Sequence, residues 1–394
     1  MNEISRARIA ITMIFALHGA VLGAFATCIP QIQDQLRLDP ATLGVALVAP
    51  AVSACFAMPM AGPVMRHLGS RRAILVMAVL LSLALALPVM APSLPLLWLA
   101  LLAYGAASGI TDVAMNANGV DVEQRFGRSI MSGMHGMWSV GGLVGAGSGA
   151  LAAAAGLDAR FHLAAAAVLL AALSALTGRH LLNVRPGEHA PTSRAFAWPT
   201  RAVVAIGLVG FCAQFAQGAA GNWSAIYLQD IAGASTGIAA ASFAAFSGTM
   251  GVMRLCGDPL VRRWGTVRTL RVSGVVAVSG CVLIVVGRDP APVIAGFALL
   301  GIGIAVVVPL TFATAGRRDD DPNRSIASVA TVTYLSNLVA PAIVGAVAGA
   351  TSLPTAFLMV TLLTACVVAG ASAFRVPAPV HHMAVRPGGE RRDG

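Results

Sequence analysis

The stretch RSIMS at residues 128–132 occurs a second time, with one substitution, as RSIAS at residues 324–328. The copies begin at 128 and 324, so they lie 196 residues apart, close to half of the 394-residue chain. The same offset aligns three further pairs, which are Trp138 with Tyr334, Gly69 with Gly265, and Arg72 with Arg268. Because one offset serves two separate segments, the sequence predicts two related halves with the same order of elements.

The composition indicates a membrane-embedded chain. Hydrophobic residues make up 57% of it and charged residues 11%, which is more apolar surface than one soluble core of this size can bury. The net charge of +10 comes from scattered arginines without any lysine, so we expect no nucleic-acid partner. The six cysteines stand singly in apolar segments, and no phosphate-binding loop is present, so we expect no metal, disulfide or cofactor.

The apolar runs are long enough for transmembrane helices, which need about 20 residues to cross the hydrocarbon core. Two longer runs are broken by APSLP at 91–95 and TSLP at 351–354, so each contains two spans. The prediction is an all-α membrane protein of twelve helices in two six-helix, pseudo-symmetric halves. Its expected parts are an N-terminal half at 1–182, a cytoplasmic linker at 183–200, a C-terminal half at 201–375, and a disordered basic tail at 376–394.

The distribution of arginine predicts the orientation. If the N-terminus lies inside, all arginines except Arg37, Arg160 and Arg288 fall on inner loops, inner helix ends or tails. Basic residues near span ends are retained on the cytoplasmic side. We therefore expect both termini to be cytoplasmic.

The loop after the second span carries a recognisable motif, GPVMRHLGSRR at 62–72. In this motif and over essentially its full length, the chain resembles the major facilitator superfamily. The motif positions retained are Gly62, Gly69, Arg71 and Arg72, whereas Arg66 replaces the usual acid. The second copy, GDPLVRRWGTVR at 257–268, also has arginine at that point, Arg262, but supplies Asp258 four residues earlier.

Within that superfamily, the runs DVAMN, MHGMWSVGG and QGAAGNWSAIYL look most similar to a bacterial fucose-permease-like branch. The resemblance implies a monomeric carrier of a small-molecule substrate in the bacterial cytoplasmic membrane. It also implies a central cavity lined by spans one, four, seven and ten, which opens alternately to either side.

Asp112 is the only acid well inside a span. At 100° per residue, Tyr104, Ser108, Asp112 and Asn116 share one stripe of span four. A carboxylate in the membrane is costly, so it usually faces a cavity, a partner or a substrate. Asp112 is therefore a cavity residue that binds substrate or a proton, a tether to an arginine of an inner loop, or a residue that serves only packing.

Other polar residues in the spans complete the candidate site. The resemblance implies acids at positions 217 and 222, where the chain has amides that can bind hydroxyl groups but cannot titrate. The candidate proton carriers are Asp112, His18 and His135, and the alternative for each histidine is a hydrogen bond that only joins two helices. The expected substrate-binding residues are His18, Tyr104, Ser108, Asp112, Asn116, His135, Trp138, Gln214, Gln217, Asn222, Trp223, Tyr334 and Asn337.

Charged inner loops are candidates for a gate. Acids and arginines alternate there, and several ion pairs together could lock the inner ends, because single exposed pairs contribute only ~0–1 kcal/mol. The alternative is that these arginines serve only topology. The gate candidates are Arg66, Gly69, Arg71, Arg72, Glu123, Arg128, Asp258, Arg262, Arg263, Arg268 and Arg324.

A neutral cavity rich in amides and aromatic rings favours a small, sugar-like solute. The expected function is either secondary active transport coupled to a proton through Asp112 or facilitated diffusion of the solute, and the sequence allows both. Drug or metabolite efflux by proton antiport is the alternative. The resemblance implies a Gly-Pro pair in span five for drug antiporters, and SVGGLVGAGSG at 139–149 lacks the proline. We expect no enzymatic activity, since the polar groups form no nucleophile and base motif.

Overall fold

A computed structural model describes residues 2–38, 40–183, 200–234, 236–318 and 322–375. Within these ranges every regular element is a helix, as predicted. The predicted linker and tail lie almost entirely outside the described residues, so the proposed domain boundaries stay predictions.

The first half contains spans one to six, numbered in chain order. Span one is Glu3–Leu36, and its first turn is capped by Asn2, whose side chain accepts a hydrogen bond from the Ser5 amide. Span two consists of Pro40–Ala46, Ala49–Ala57, the 3₁₀ turn Met58–Met60 and Ala61–Leu68. Spans three to six are Ser70–Ala84 with Leu87–Met90, Leu94–Phe126, Met131–Ala154 and Ala159–Gly178.

The second half repeats this order. Span seven begins after a Thr200 cap, whose hydroxyl accepts from the Val203 amide. Spans seven to nine are Arg201–Asp230, Thr236–Trp264 and Thr266–Val286. Span ten is divided into Pro290–Ile304 and Val307–Ala315, span eleven is Pro322–Ala350, and span twelve is Leu353–Gly370 with the 3₁₀ turn Ala371–Phe374.

Nine of the described helical segments are long and apolar enough to cross a membrane by length and composition alone. The three remaining spans, two, five and eight, do not meet this criterion. Span two is divided into short pieces, span five is rich in glycine, and span eight carries four charged residues in its last eleven positions. These three belong to the predicted twelve-helix architecture through their packing.

The packing of the helices is the same in both halves. Span one packs on span five as span seven packs on span eleven, and span three packs on span six as span nine packs on span twelve. Spans two and four likewise correspond to spans eight and ten. The repeat predicted from the sequence offset is therefore present in three dimensions.

Two glycines show how closely the repeat is kept. A β-carbon at Gly105 would overlap the Pro50 carbonyl and the Ser53 hydroxyl, so span four needs glycine to touch span two. A β-carbon at Gly301 would overlap the Phe246 carbonyl and the Thr249 hydroxyl. Gly301, Phe246 and Thr249 each lie 196 positions after their counterparts Gly105, Pro50 and Ser53. Close contact at glycine thus fixes the same helix pair twice.

The sharp turns after spans two and eight also match. Gly69 has φ 77° and ψ 153°, and Gly265 has φ 75° and ψ 163°. Residues with a side chain avoid this region of φ and ψ, so glycine allows the next helix to start at once. The predicted equivalence of these two loops is confirmed in backbone conformation.

The two halves meet mainly where span five contacts span eight and where span two contacts span eleven. The beginning of span one, the junction of spans four and five, and the end of span twelve lie at one end of the bundle, which we call the terminal face. Arg8 in span one lies over the Phe126 ring at 4.8 Å, and Arg318 after span ten donates to the Ala373 carbonyl, so these elements share that end.

Candidate substrate site and gate

A cavity of about 270 Å³ lies between the halves. Its lining comes from both halves, including spans one, two, four, five, seven, eight, ten and eleven. The predicted site residues that line it are His18, Ser108, Asp112, His135, Trp138, Gln214, Gln217 and Tyr334. Residues far apart in the sequence are thus brought to one site, in a position that suits alternating access.

The cavity follows the repeat, except at two charged positions. His18 corresponds by the 196-residue offset to Gln214, and Trp138 to Tyr334, and all four line the cavity. The counterpart of Asp112 is Val308, and the counterpart of Met58 is Arg254; these also line it. Each half therefore contributes one charge of opposite sign where the other half contributes an apolar side chain.

His18 is held between two partners. The Trp138 indole Nε1 donates to His18 Nδ1 at 2.9 Å, and His18 Nε2 lies 3.2 Å from the Ser108 hydroxyl. Because the indole is only a donor, Nδ1 must be unprotonated and the ring carries its proton on Nε2. His18 is therefore neutral in this arrangement and positions Trp138 and Ser108 at the cavity wall.

His135 is bound by Asn116, which lies behind the cavity wall. Asn116 Nδ2 donates to the backbone carbonyl of Asp112 at 2.8 Å, so its oxygen faces His135 Nε2 at 3.1 Å and accepts from it. The imidazole stacks on Phe312 with centroids 6.0 Å apart and meets the edge of Phe15 at 5.2 Å. Asn116 thus acts through His135 instead of lining the cavity.

Asp112 is 8% exposed and lies in the cavity wall. Its Oδ2 atom has no hydrogen-bond partner among the described residues, although Tyr334 of span eleven approaches the carboxyl group from the other half. No described arginine forms an ion pair with it. The structure thus places Asp112 in the cavity, and the alternative of a tether to an inner-loop arginine finds no contact among the described residues.

Arg254 of span eight corrects the expectation of a neutral cavity. It is 4% exposed and lines the same cavity as Asp112. Its Nη1 donates to the Ser139 hydroxyl at 3.1 Å, its Nη2 to Gln217 Oε1 at 3.1 Å, and its Nε to the Ala305 carbonyl at 3.4 Å. All three acceptors are uncharged, so a buried guanidinium faces the cavity without a carboxylate partner among the described residues.

Hydropathy does not identify Arg254 as a cavity residue, because Arg254 directly follows the charge-free run at 231–253. The helix continues to Trp264. A helical stripe was the available signal, since Arg254 and Asp258 are four residues apart and face the same neighbouring span, span five.

Three other predicted site residues do not line the cavity described here. Tyr104 is buried against Phe25, with ring centroids 4.8 Å apart, and Asn222 is exposed and donates to the Gly218 carbonyl. Trp223 is half-buried beside Gly345 of span eleven. The side chain of Asn337 lies outside the described part of the structure.

At the terminal face, Asp258 joins the two halves. Its Oδ1 accepts from the Ser129 hydroxyl at 2.9 Å and the Ser132 amide at 3.1 Å, and its Oδ2 accepts from the Gly133 amide at 2.7 Å. These amides belong to the first turn of span five, whose free N–H groups and positive dipole end favour a carboxylate. A residue of the second half therefore caps a helix of the first half.

Glu123 contributes a second carboxylate to the same helix end. Its Oε2 accepts from the amides of Ile130 and Met131 at 2.8 and 3.0 Å, and its Oε1 pairs with Arg317 of the second half. Gln124 donates to the Gly316 carbonyl at 3.2 Å, and Arg262 donates to the Ser129 carbonyl at 2.9 Å. We call these contacts, together with those of Asp258, the latch.

The remaining gate candidates lie at the terminal face with fewer contacts between halves. Arg71 donates to the Arg179 carbonyl of its own half, and Arg268 lies over the Trp264 ring of its own half. Arg324 is half-buried, and Asp319, Asp320 and Asp321 lie outside the described residues. The exposed arginines without a described contact between the halves are Arg66, Arg72, Arg128 and Arg263.

Two matched six-helix halves around a polar cavity define a membrane transport protein. Residues 11–319 match the Major Facilitator Superfamily. The chain belongs to this family, and it is accordingly a transporter of solutes across a membrane and not an enzyme.

Three curated relatives match along most of their length. An uncharacterized transporter, y4wD, of Sinorhizobium fredii is 34% identical over 359 residues, which cover 90% of this chain and 94% of that protein. An uncharacterized MFS-type transporter of Yersinia pestis is 34% identical over 362 residues, covering 92% and 94%. The membrane protein MosC of Rhizobium meliloti is 31% identical over 373 residues, covering 93% and 89%.

Solved structures share the fold at much lower identity. The transporter FucP in its outward conformation has a TM-score of 0.77 and 16% identity, covering 95% of this chain and 100% of FucP. The human organic anion transporter MFSD10 has a TM-score of 0.75 and 15% identity, with the same coverage of 95% and 100%. At these identities the likeness concerns the fold alone.

Proposed function

We propose that this transporter moves a small, hydroxylated, sugar-like solute by alternating access and couples its movement to a proton carried by Asp112. The observation that carries the proposal is the Asp112 carboxyl group, which is buried in the central cavity and has one oxygen without a partner among the described residues. A carboxylate there is costly unless its charge is used, so a cycle of protonation gives it a function.

The cavity supports a small solute. Its volume of about 270 Å³ lies below the ~300–1,000 Å³ of pockets for drug-sized ligands. Ser108, Gln214 and Tyr334 offer hydrogen-bonding groups, and Trp138 offers an aromatic face for a ring. These properties favour the sugar-like solute over the alternative of drug efflux. A solved relative of the same fold is described as the Escherichia coli fucose:proton symporter FucP, which agrees with this assignment.

Asp112 is a better proton carrier than either histidine. The Nδ1 atom of His18 accepts from Trp138, so protonation of His18 would require this bond to break. His135 already donates from Nε2 to Asn116 and is enclosed by two aromatic rings, so a second proton would bring a cation close to the Arg254 guanidinium. The Asp112 carboxyl group can accept a proton without losing any described hydrogen bond.

The latch supports alternating access. It closes the terminal face through contacts between the halves, and these must break for the cavity to open at that end. The placement of arginine supports a cytoplasmic position for the terminal face, with both chain ends inside. The structure then corresponds to a state in which the cytoplasmic exit is closed.

The test is transport by purified protein in proteoliposomes, using a panel of radiolabelled monosaccharides and their acid derivatives. We expect an inward proton gradient to drive accumulation of at least one compound. Asp112→Asn should abolish this accumulation but keep exchange of the solute between the two sides, since the amide cannot release a proton. Asp230→Asn, at an exposed acid at the end of span seven, is the matched control and should behave as wild type.

Full gradient-driven accumulation by Asp112→Asn would overturn proton coupling through this residue. Transport of lipophilic cations alone would overturn the sugar-like substrate.

A further inference from the structure

Arg254 has hydrogen-bonding capacity that the protein itself does not use. A guanidinium carries five N–H donors, and Ser139, Gln217 and Ala305 accept three hydrogen bonds from it. The remaining two donors lie on Nη1 and Nη2, the pair that can bind both oxygens of a carboxylate. Arg254 is only 4% exposed, so bulk water does not compensate its charge.

We propose that Arg254 binds a carboxylate of the transported solute, so that the substrate class is a small, hydroxylated monocarboxylate such as a sugar acid. This inference rests on the proposed function, because it names the chemistry of the same cargo. A buried charge without a partner destabilises a protein. If the anionic partner of Arg254 is a substrate that leaves in each transport cycle, the empty protein must stabilise the guanidinium in another way. The hydrogen bonds to the three uncharged acceptors provide this stabilisation.

The charges of the cavity favour a single negative charge on the solute. Among the described lining residues, Arg254 is the only permanently charged cation, and Asp112 faces the same space. A phosphate ester would bring up to two negative charges against one guanidinium and oppose Asp112. A carboxylate brings one charge in a planar, two-oxygen form that matches the guanidinium.

The same charges predict that the anion and the proton bind together. The titratable or charged side chains facing the cavity are His18 of span one, Cys55 of span two, Asp112 of span four, His135 of span five, Arg254 of span eight and Tyr334 of span eleven. With Asp112 ionised, a bound monoanion leaves one excess negative charge in the cavity, whereas protonation of Asp112 leaves none. Anion binding therefore favours proton uptake by Asp112, and a proton favours anion binding to the same extent.

The test compares matched acid and neutral solutes, namely glucuronate with glucose, galacturonate with galactose, and gluconate with sorbitol. Binding to the purified protein is measured at several pH values by isothermal titration calorimetry and by the shift in thermal unfolding temperature. We expect at least one acid to bind, and its neutral partner to bind about 30-fold more weakly or not at all. Binding of the acid should tighten as pH falls, with proton uptake measured in buffers of different ionisation enthalpy.

Variants separate charge from fold. Arg254→Gln should weaken binding of the acid by roughly 30-fold or more, whereas Arg254→Lys should keep a measurable part of it because the charge remains. Asp112→Asn should retain acid binding and lose its pH dependence. The control is Arg271→Gln, which changes an exposed arginine of span nine and should match wild type.

Three results would overturn the proposal. They are equal binding of the neutral partners, unchanged acid binding in Arg254→Gln, and a thermal shift produced by sodium chloride alone at the same concentration. The proposed function fails separately. If the acids bind through Arg254 but a proton gradient does not drive their uptake, the anion site stands and proton coupling is wrong.

Discussion

Gln217 shows how one side chain can set the charge of the cavity. The family resemblance implies an acid at this position, and the chain has an amide whose Oε1 accepts from Arg254 Nη2 at 3.1 Å. An acid of the same shape would pair with the guanidinium inside the protein. The amide leaves Arg254 without a carboxylate partner among the described residues, so its guanidinium, which lies 6.0 Å from the centroid of the Trp138 ring, is available to an anionic ligand.

Gln217→Glu is therefore expected to raise the thermal unfolding temperature of the empty transporter by a few degrees, since a buried charge gains a hydrogen-bonded partner. The same variant should lose binding of acidic solutes, because the new carboxylate occupies Arg254. Differential scanning fluorimetry in detergent measures the first effect, and calorimetry measures the second.

The double variant Gln217→Glu with Arg254→Gln provides the control. Without the guanidinium, a buried glutamate has no cation to pair with, so the gain in unfolding temperature should disappear. If the single and double variants are equally stable, the two side chains are not coupled in the empty protein.

Helical periodicity identifies the side of span four that faces the cavity. Ser108 and Asp112 share a stripe of span four, and both line the cavity. Tyr104 lies on the same stripe but one turn further from the cavity, where it packs on Phe25. Periodicity gives the face of a helix and not the depth at which a neighbouring helix covers it. Arg254 is not predicted for a related reason. A charge-free run underestimates the length of a helix whose charged residues are buried against neighbouring helices.

The helices themselves are held together by close backbone contacts at glycine. Gly105 and Gly301 occupy the same position in the two halves, and each lies against a carbonyl oxygen of the neighbouring span. The four-residue spacing of small residues in the sequence indicates such contacts but does not identify the partner helix. The 196-residue offset does so once the partner is known in one half.

Gly105→Ala and Gly301→Ala should each lower the free energy of unfolding by about 1–3 kcal/mol, because the added methyl group forces spans two and four, or eight and ten, apart. The measurement is the thermal unfolding temperature in detergent. We expect similar losses for the two variants, because their surroundings correspond.

Gly147→Ala is the matched control for these variants. Gly147 lies in span five, and a β-carbon there would have no neighbour within 4 Å among the described atoms. It should be neutral or stabilise by up to about 1 kcal/mol through helix propensity. A loss at Gly147 as large as at Gly105 would show that helix packing at these glycines is not the cause.

Element boundaries were harder to predict than element existence. The charge-free run at 40–65 is long enough for one continuous span, and the structure divides it at residues 47–48 and 58–60. Pro50 and Pro59 lack the N–H that a continuous helix would use, which accounts for the interruptions. The 3₁₀ turn brings Met58 to the cavity, a consequence that hydropathy alone does not give.

In the whole molecule, the latch joins the two six-helix halves at the terminal face through charged side chains. Asp258 caps span five from the opposite half, whereas Glu123 caps it from its own half and reaches Arg317 across the interface. The motif resemblance located Asp258 and Arg262 in sequence. The capping of a helix in the other half could not be predicted, because it depends on how spans five and eight meet.

Asp258→Ala should shift the molecule towards a state that is open at the terminal face. It removes the acceptor of the Ser132 and Gly133 amides, a loss of about 0.5–2 kcal/mol for a helix cap, which corresponds to a population shift of roughly two- to 30-fold. Pulsed electron–electron double resonance can follow this shift. The spin labels are placed at the exposed positions Arg125 and Arg263, and the six native cysteines are replaced. We expect more of the longer distances than in the unsubstituted protein.

Asp289→Ala distinguishes loss of the latch from loss of a negative charge. Asp289 is exposed at the start of span ten and makes no side-chain cap, so its removal should leave the distance distribution unchanged. Because the carboxylate of Asp258 opposes the partial charge of a helix end, Asp258→Asn should give a smaller shift than Asp258→Ala, as its amide oxygen still accepts one of the bonds. Identical distributions for Asp258→Ala and Asp289→Ala would mean that this contact does not hold the halves together, and that the terminal face is closed by packing between spans five and eight.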